Sequence, residues 1–292
     1  MIEALFVFLI RCYGGKIVDE SLKRLQDLEL EMMLKIAEIC KHHNITYYLF
    51  GGTLIGAVRH QGFIPWDDDI DLGMPRPDYE RFLQVAEKVL GEEYDLLTPY
   101  KNEGYQFTFS KVINKKLKIL YKNNTKVQKW NIWIDIFPID SMPQNRIHFL
   151  LRKYYLLFRR GMVMLSAFDD VVSLEKKKRP FYENILIWIA NHTNVFTKMD
   201  TKKQVIKFDK ALKKYPFEKG PYMVNAMGLF KFKTVFPRNV YGKNTYLNFE
   251  GYQLQVPNQY DLFLKTLYGD YMKLPPEDKR DHHKIEFVEV KE

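Results

Sequence analysis

Two glycines and a group of acidic residues set out the chemistry available to this chain. The run Leu49-Phe50-Gly51-Gly52-Thr53 puts two glycines where a strand-like segment ends and a helix can begin, and Ile64-Pro65-Trp66-Asp67-Asp68-Asp69-Ile70-Asp71-Leu72 follows after a short loop. Glycines at such a junction let backbone N–H groups approach a phosphate, and a helix N-terminus there favours an anion. A plain strand-to-helix turn is the alternative. Asp69 and Asp71 are separated by one residue. On a strand, alternate side chains share a face, so the two carboxylates converge while Ile70 and Leu72 point into the core and Asp68 points to the opposite face. Converging carboxylates repel unless a cation or a proton intervenes, and hard oxygen ligands beside a phosphate suit Mg²⁺ or Mn²⁺; an acidic turn without metal is the alternative. A third acid, Asp135, lies in the apolar run Trp133-Ile134-Asp135-Ile136-Phe137. Burying it there is costly without a partner, so it is expected beside the Asp69–Asp71 pair, the alternative being an exposed strand end.

The elements that must carry these residues follow from periodicity. Leu22, Leu25, Leu28, Met32, Ile36 and Ile39 recur at helical spacing and predict a helix over 19–43. Strands are expected at 47–50 and 69–74, with a short helix over 53–60 whose N-cap lies near Thr53, and a helix over 78–90. Three strands are expected at 105–113, 117–121 and 131–137, parted by Asn- and Lys-rich turns. From about 146 to 215 the chain reads as a mainly helical, basic insertion, with helices over 147–165, 181–192 and 202–213. A hairpin over 245–256, turning near Glu250-Gly251, and a helix over 260–268 complete an α+β fold in one domain spanning 1–292.

The formal net charge of +9 favours polyanionic partners. The basic clusters are dispersed and carry no nucleic-acid-binding signature, so no nucleic acid partner is expected. The basic, aromatic stretch Leu150–Leu165 suits peripheral contact with an anionic membrane or an internal helix with a charged edge. Cys12 and Cys40 are too few for a disulfide framework, which points to a reducing cytoplasm. The apolar run Ala4–Ile10 stops at Arg11, well short of the roughly 20 residues a membrane-spanning helix needs.

The segments GGTLIGAVRH at 51–60 and IPWDDDID at 64–71 resemble the hallmark of the LicD family, which belongs to the nucleotidyltransferase-fold superfamily. The resemblance extends to Arg76 and Tyr79, WIDIFPID at 133–140, Phe249-Glu250-Gly251, and YGDYMKLPP at 268–276. It implies a mixed β-sheet core flanked by helices. It also implies transfer of a phosphoryl-linked alcohol, phosphocholine as the first expectation, from a CDP-activated donor such as CDP-choline to a hydroxyl of a cell-surface glycan, a lipid-linked glycan or a teichoic-acid precursor, releasing CMP. By that resemblance Asp69, Asp71 and Asp135 are the catalytic metal ligands, and Gly51, Gly52 and Thr53 meet the donor phosphate. Arg59, His60 and Arg76 are candidates for charge neutralisation, a surface arginine being the alternative; Trp66 is a stacking platform or a core aromatic, and His282 or His283 is a candidate contact to donor or acceptor. The cysteine usage makes the cytoplasm the expected location, with peripheral contact at the inner face of the cytoplasmic membrane as the variant that the basic stretch allows. The competing readings are a nucleotidyltransferase that uses a nucleoside triphosphate, and a catalytically silent glycan- or membrane-binding protein.

Overall fold

The computed structural model describes residues 20–103, 105–123, 126–167, 199–277, 280 and 285–289. The expected segments 4–10 and 181–192, together with Cys12, His282 and His283, lie outside these residues.

Helix α1 (Glu20–His42) buries Leu22, Leu25, Met32, Met33, Ile36 and Ile39 on one stripe, as its spacing requires. It leads into β1 (Tyr48–Leu49), α2 (Gly51–Arg59), β2 (Ile70–Pro75) and α3 (Arg76–Val89). The last begins earlier than its apolar pattern suggests because Pro77 occupies its first turn, where a missing N–H costs nothing. Strands β3 (Tyr94–Leu97), β4 (Ser110–Asn123) and β5 (Lys126–Met142) follow.

The main sheet runs β1-β2-β5-β4, continues into β10 (Ile285–Glu289), and carries β3 on β4. Strand β2 is parallel to β5, and the other pairings are antiparallel. This mixed sheet flanked by helices is the α+β architecture expected from the sequence.

The strand expected at 131–137 lengthens to β5, and the two expected before it differ as well. Residues 105–109 are not in a strand, and the turn expected near 114–116 is a register shift within a continuous β4. The Asn114 carboxamide accepts from the N–H groups of Lys116 and Leu117, while Asn131 donates to the Asn114 carbonyl. An asparagine that satisfies its neighbours' amides can make a bulge without ending the strand.

Helices α4 (Arg146–Ser166) and α5 (Thr201–Lys213) close over a second apolar cluster built from Phe137, Leu156, Val163, Phe208 and Leu212. Asn145 caps α4 by accepting from Ile147 and His148, and Asp200 caps α5 by accepting from Lys203. The polarity of α4 differs from the expected charged edge. Arg152 donates to the Ala211 and Leu212 carbonyls at the end of α5, and Arg160 donates to those of Ala226 and Met227. Ile147, Leu151, Tyr154, Tyr155 and Phe158 are left exposed. These arginines turn inward because a helix C-terminus and loop carbonyls offer acceptors that no apolar side chain can satisfy.

After β6 (Tyr222–Val224), which extends the sheet from the end of β5, come β7 (Phe236–Pro237) and the short α6 (Arg238–Tyr241). The expected hairpin is present as β8 (Thr245–Phe249) and β9 (Tyr252–Val256), and α7 (Tyr260–Tyr268) follows. No helix among the described residues is long and apolar enough to cross a membrane.

Candidate active site

The site is organised by the parallel pairing of β2 with β5, which aligns Asp71 with Asp135 in adjacent registers. Ile70, Leu72, Ile134 and Ile136 are fully buried, so alternation turns both carboxylates to the other face of the sheet. The glycines lie directly against this face. A Cβ at Gly51, where φ is +56°, would overlap Asp71 Oδ2, and a Cβ at Gly52 would overlap Asp67 Oδ2. The pair therefore admits the protein's own carboxylates to the start of α2, and only a residue without Cβ fits.

Thr53 differs from its expected place. Helix α2 starts at Gly51, with Phe50 at a cap position that makes no side-chain bond, so Thr53 lies within the first turn. It is buried, and its hydroxyl accepts from the Asp71 N–H at 2.9 Å. That bond fixes the strand backbone under Asp71.

The acidic run also differs from the sequence reading. Strand β2 begins at Ile70, so Asp67, Asp68 and Asp69 belong to the loop before it and strand alternation does not separate them. Their carboxylates bring oxygens within 4.8 Å of one another. The loop is held from two sides. Gln26 on α1 donates to the Asp67 carbonyl at 2.9 Å, and Glu250 in the hairpin turn accepts from the Phe63 N–H at 3.1 Å.

Close packing of acids raises their proton affinity. Burial, together with Asp69 and Asp68, pushes the Asp67 carboxyl up to about 8. Asp71 is held well above the usual carboxylate range by burial and then by Asp69, Asp135 and Asp67. Burial raises Asp135 as well, against the pull of Lys111. Glu29 on α1, 1% exposed, is raised by burial and then by Asp69, Asp68, Asp67 and Asp135. An all-oxygen set whose members raise one another in this way fits a hard divalent cation, which lowers the repulsion and has the ligand preference to match.

Cations border the cluster. Lys111, opposite Asp135 in the β4–β5 register, forms a buried ion pair with it, and its ammonium lies 4.7 Å from the ring centroids of Phe107 and Trp133. Arg59 donates to the Tyr271 carbonyl at 2.8 Å and to His60 Nε2 at 2.9 Å, and it feels both Asp67 and Arg280. Arg280 stacks 5.0 Å over Trp66, whose ring also meets His60 edge-on at 6.4 Å. Arg59, His60 and Trp66 thus gather on one side of the acids. Arg76 does not join them. It is buried, chelates Asp140 through two bonds of 2.7 Å, and binds Asp209 at 2.9 Å. With each guanidinium nitrogen engaged by a protein carboxylate, Arg76 ties β5 to α5.

Gln26, Glu29, Lys111, Tyr268 and Arg280 adjoin the site without having been singled out from the sequence; the Tyr268 phenol is pushed up by burial and then by Asp71, Asp67 and Asp69. The Tyr268–Pro276 motif was the one signal that could have found Tyr268. A cleft of about 810 Å³ between the end of α1 and the β8–β9 hairpin holds none of these acids.

Comparison with known proteins comes to the same region. The sequence model of a family described as LicD/FKTN/FKRP, nucleotidyltransferase domain, matches residues 44–162. The chain is 35% identical over 257 residues to the lipopolysaccharide cholinephosphotransferase LicD of Haemophilus influenzae, covering 84% of this chain and 89% of that protein. It is 28% identical over 167 residues to an uncharacterised protein of Rickettsia typhi, covering 56% of this chain and 49% of that one. A stretch of 51 residues, 18% of this chain and 10% of the relative, is 41% identical to human ribitol 5-phosphate transferase FKRP.

Proposed function

Given that this chain belongs to the LicD family, we propose that it transfers phosphocholine from CDP-choline to a hydroxyl of a cell-surface glycan such as lipopolysaccharide or a teichoic-acid precursor, releasing CMP. The observation that carries this reading is the alignment of Asp71 with Asp135 against the Gly51–Gly52 turn, with Arg59 and Arg280 at its border. Asp69, Asp71 and Asp135 would hold Mg²⁺ or Mn²⁺, which when bound neutralises charge on the donor's diphosphate and on the departing CMP.

The chain's own groups do the rest. Arg59 and Arg280 offer planar donor forks to phosphate oxygens. His60 accepts from Arg59 and orients it, and Trp66 supports Arg280 from below. The acceptor hydroxyl oxygen bonds to the choline-bearing phosphorus as the bond from that phosphorus to the CMP oxygen breaks. A carboxylate of the cluster takes the hydroxyl proton, and positioning with charge neutralisation supplies the catalysis. The exposed face of α4, aromatic and aliphatic rather than basic, suits contact with a lipid-linked acceptor at the membrane surface.

The test is CMP release from CDP-choline, CDP-ribitol and CDP-glycerol with and without Mg²⁺. Release from a CDP-alcohol that needs the divalent ion supports the reading. Turnover of CTP or ATP to diphosphate, with no CMP from any CDP-alcohol, would assign the chain to nucleotidyl transfer instead.

A further inference from the structure

The cleft between the end of α1 and the β8–β9 hairpin lies apart from the acids and has a chemistry of its own. Its volume of about 810 Å³ falls within the roughly 300–1,000 Å³ usual for ligand sites. Tyr246 and Tyr252, each 48% exposed, line it, so two aromatic rings stand open to whatever enters. Side-chain amides accompany the rings: Asn44, Asn244, Gln253 and Gln255 all border the cavity. Gln255 is 7% exposed, yet its carboxamide makes no hydrogen bond among the described residues. Its polar atoms are not sealed in, so they open into the cleft that the residue lines. A nearly buried carboxamide without a protein partner costs free energy unless something else bonds it.

The charge pattern narrows the ligand. Among the described residues no arginine lines the cleft, and Lys41 and Lys243 are set against Glu38. A phosphate-bearing group therefore finds no guanidinium fork there. Carboxamides donate and accept at once, as sugar hydroxyls do, and an aromatic face accommodates the apolar C–H side of a pyranose. We infer that this cleft is a saccharide-binding site, which holds units of the glycan chain away from the hydroxyl that reacts. The hairpin supplies the connection. Tyr246 lies opposite Gln255 in the ladder and Asn248 opposite Gln253, so by alternation these four share one face. Near the turn, Asn248 donates to the Gln61 carboxamide oxygen at 3.4 Å, and Glu250 accepts from the Phe63 N–H. Gln61 and Phe63 belong to the loop that runs on to Asp67, so one hairpin joins the cleft to the acids. That the bound glycan is the acceptor rests on the transfer reading; the saccharide chemistry of the cleft does not.

The experiment is calorimetric titration of the full chain with the delipidated core oligosaccharide of lipopolysaccharide, in EDTA and without donor. Wild type is expected to bind it. Tyr246→Ala and Tyr252→Ala should each weaken binding by roughly 2–12-fold, the worth of one stacked ring, whereas Tyr246→Phe and Tyr252→Phe keep the ring and stay close to wild type. Gln255→Met should weaken binding by roughly 2–12-fold, the worth of one hydrogen bond. It should do so without lowering the melting temperature of the ligand-free protein, because the carboxamide has no protein bond to lose; it carries the test if the alanine variants do not fold. A wild type that does not bind the oligosaccharide overturns the inference, as does wild-type affinity in both the Tyr246→Ala/Tyr252→Ala double variant and Gln255→Met. CMP binding that is lost in these variants while oligosaccharide binding is kept would make the cleft a nucleotide site and overturn it too. Transfer kinetics separate the two claims. The double variant should raise the KM for the oligosaccharide acceptor and leave that for CDP-choline unchanged. If no CDP-alcohol yields CMP while oligosaccharide binding depends on these residues, the transfer reading fails and the cleft stands; transfer with a wild-type acceptor KM in the double variant does the reverse.

Discussion

Replacing Lys111 by Met removes the counter-ion of Asp135 while keeping an apolar stem of similar length. The side chains of Lys111 and Asp135 are 9% and 12% exposed, so the pair is desolvated. The figure of about 0–1 kcal/mol for surface pairs therefore does not apply. Breaking a buried pair from one side costs about 3–5 kcal/mol, because the remaining charge is stranded. The aromatic contacts of the ammonium with Phe107, Phe109 and Trp133 add a smaller loss, which the methionine thioether recovers in part against the same rings. At about 2 °C per kcal/mol for a chain of this size, the metal-free Lys111→Met variant should melt roughly 6–10 °C below wild type. Two further measurements isolate the cause. In an Asp135→Asn background the same substitution should cost less than about half as much, since no charge is left stranded. Saturating Mg²⁺ should also recover part of the loss in the single variant, because a cation at Asp135 takes over the missing compensation. The assay is thermal unfolding followed by circular dichroism, with EDTA or Mg²⁺. A single variant within about 2 °C of wild type, or an equal loss in both backgrounds, would refute the argument.

Gly51→Ala puts a Cβ at φ +56° against Asp71; it should cost about 1–2 kcal/mol of stability and, by moving Asp71, about 100-fold in CMP release. Equal activity in that variant would show that Asp71 has room to move. Asp67 holds its proton up to about pH 8 in the fold, whereas an unfolded Asp loses it near pH 4, so the folded state binds more protons between these values and stability falls as pH rises through that window. In EDTA the midpoint of urea unfolding should therefore decline from about pH 4 to 8, and Asp67→Asn should lessen the decline; a profile that is flat or rises in wild type sinks this account. Arg59→Ala and Arg280→Ala should each raise the KM for the CDP-alcohol by roughly 10–100-fold, the worth of a charge-assisted hydrogen bond, and donor-saturation kinetics that match wild type would remove them from the donor site.

The α+β class, most helices and the hairpin were legible in the sequence because each is a local pattern. Apolar spacing of three and four marked α1, and turn residues marked the end of β8 at Glu250-Gly251. The place of the candidate site was legible for the same reason, since glycines beside a dense acidic run are a local signature. What the sequence left open depends on contacts between segments far apart in the chain. The register that aligns Asp71 with Asp135 is set by packing β2 against β5, and neither strand alone states it. Arg76 looked like a phosphate ligand and turned out to bridge Asp140 and Asp209, because two buried carboxylates competed for it. Asp68 lost its expected separate face once the strand began two residues after it. Glu29 and Gln26 sat unremarked in the heptad-like pattern of α1, where a polar residue reads as solvent-facing. Only the helix's rotation onto the acidic loop decided that they point inward, because the direction of a helix face is fixed by what it packs against and not by the helix itself.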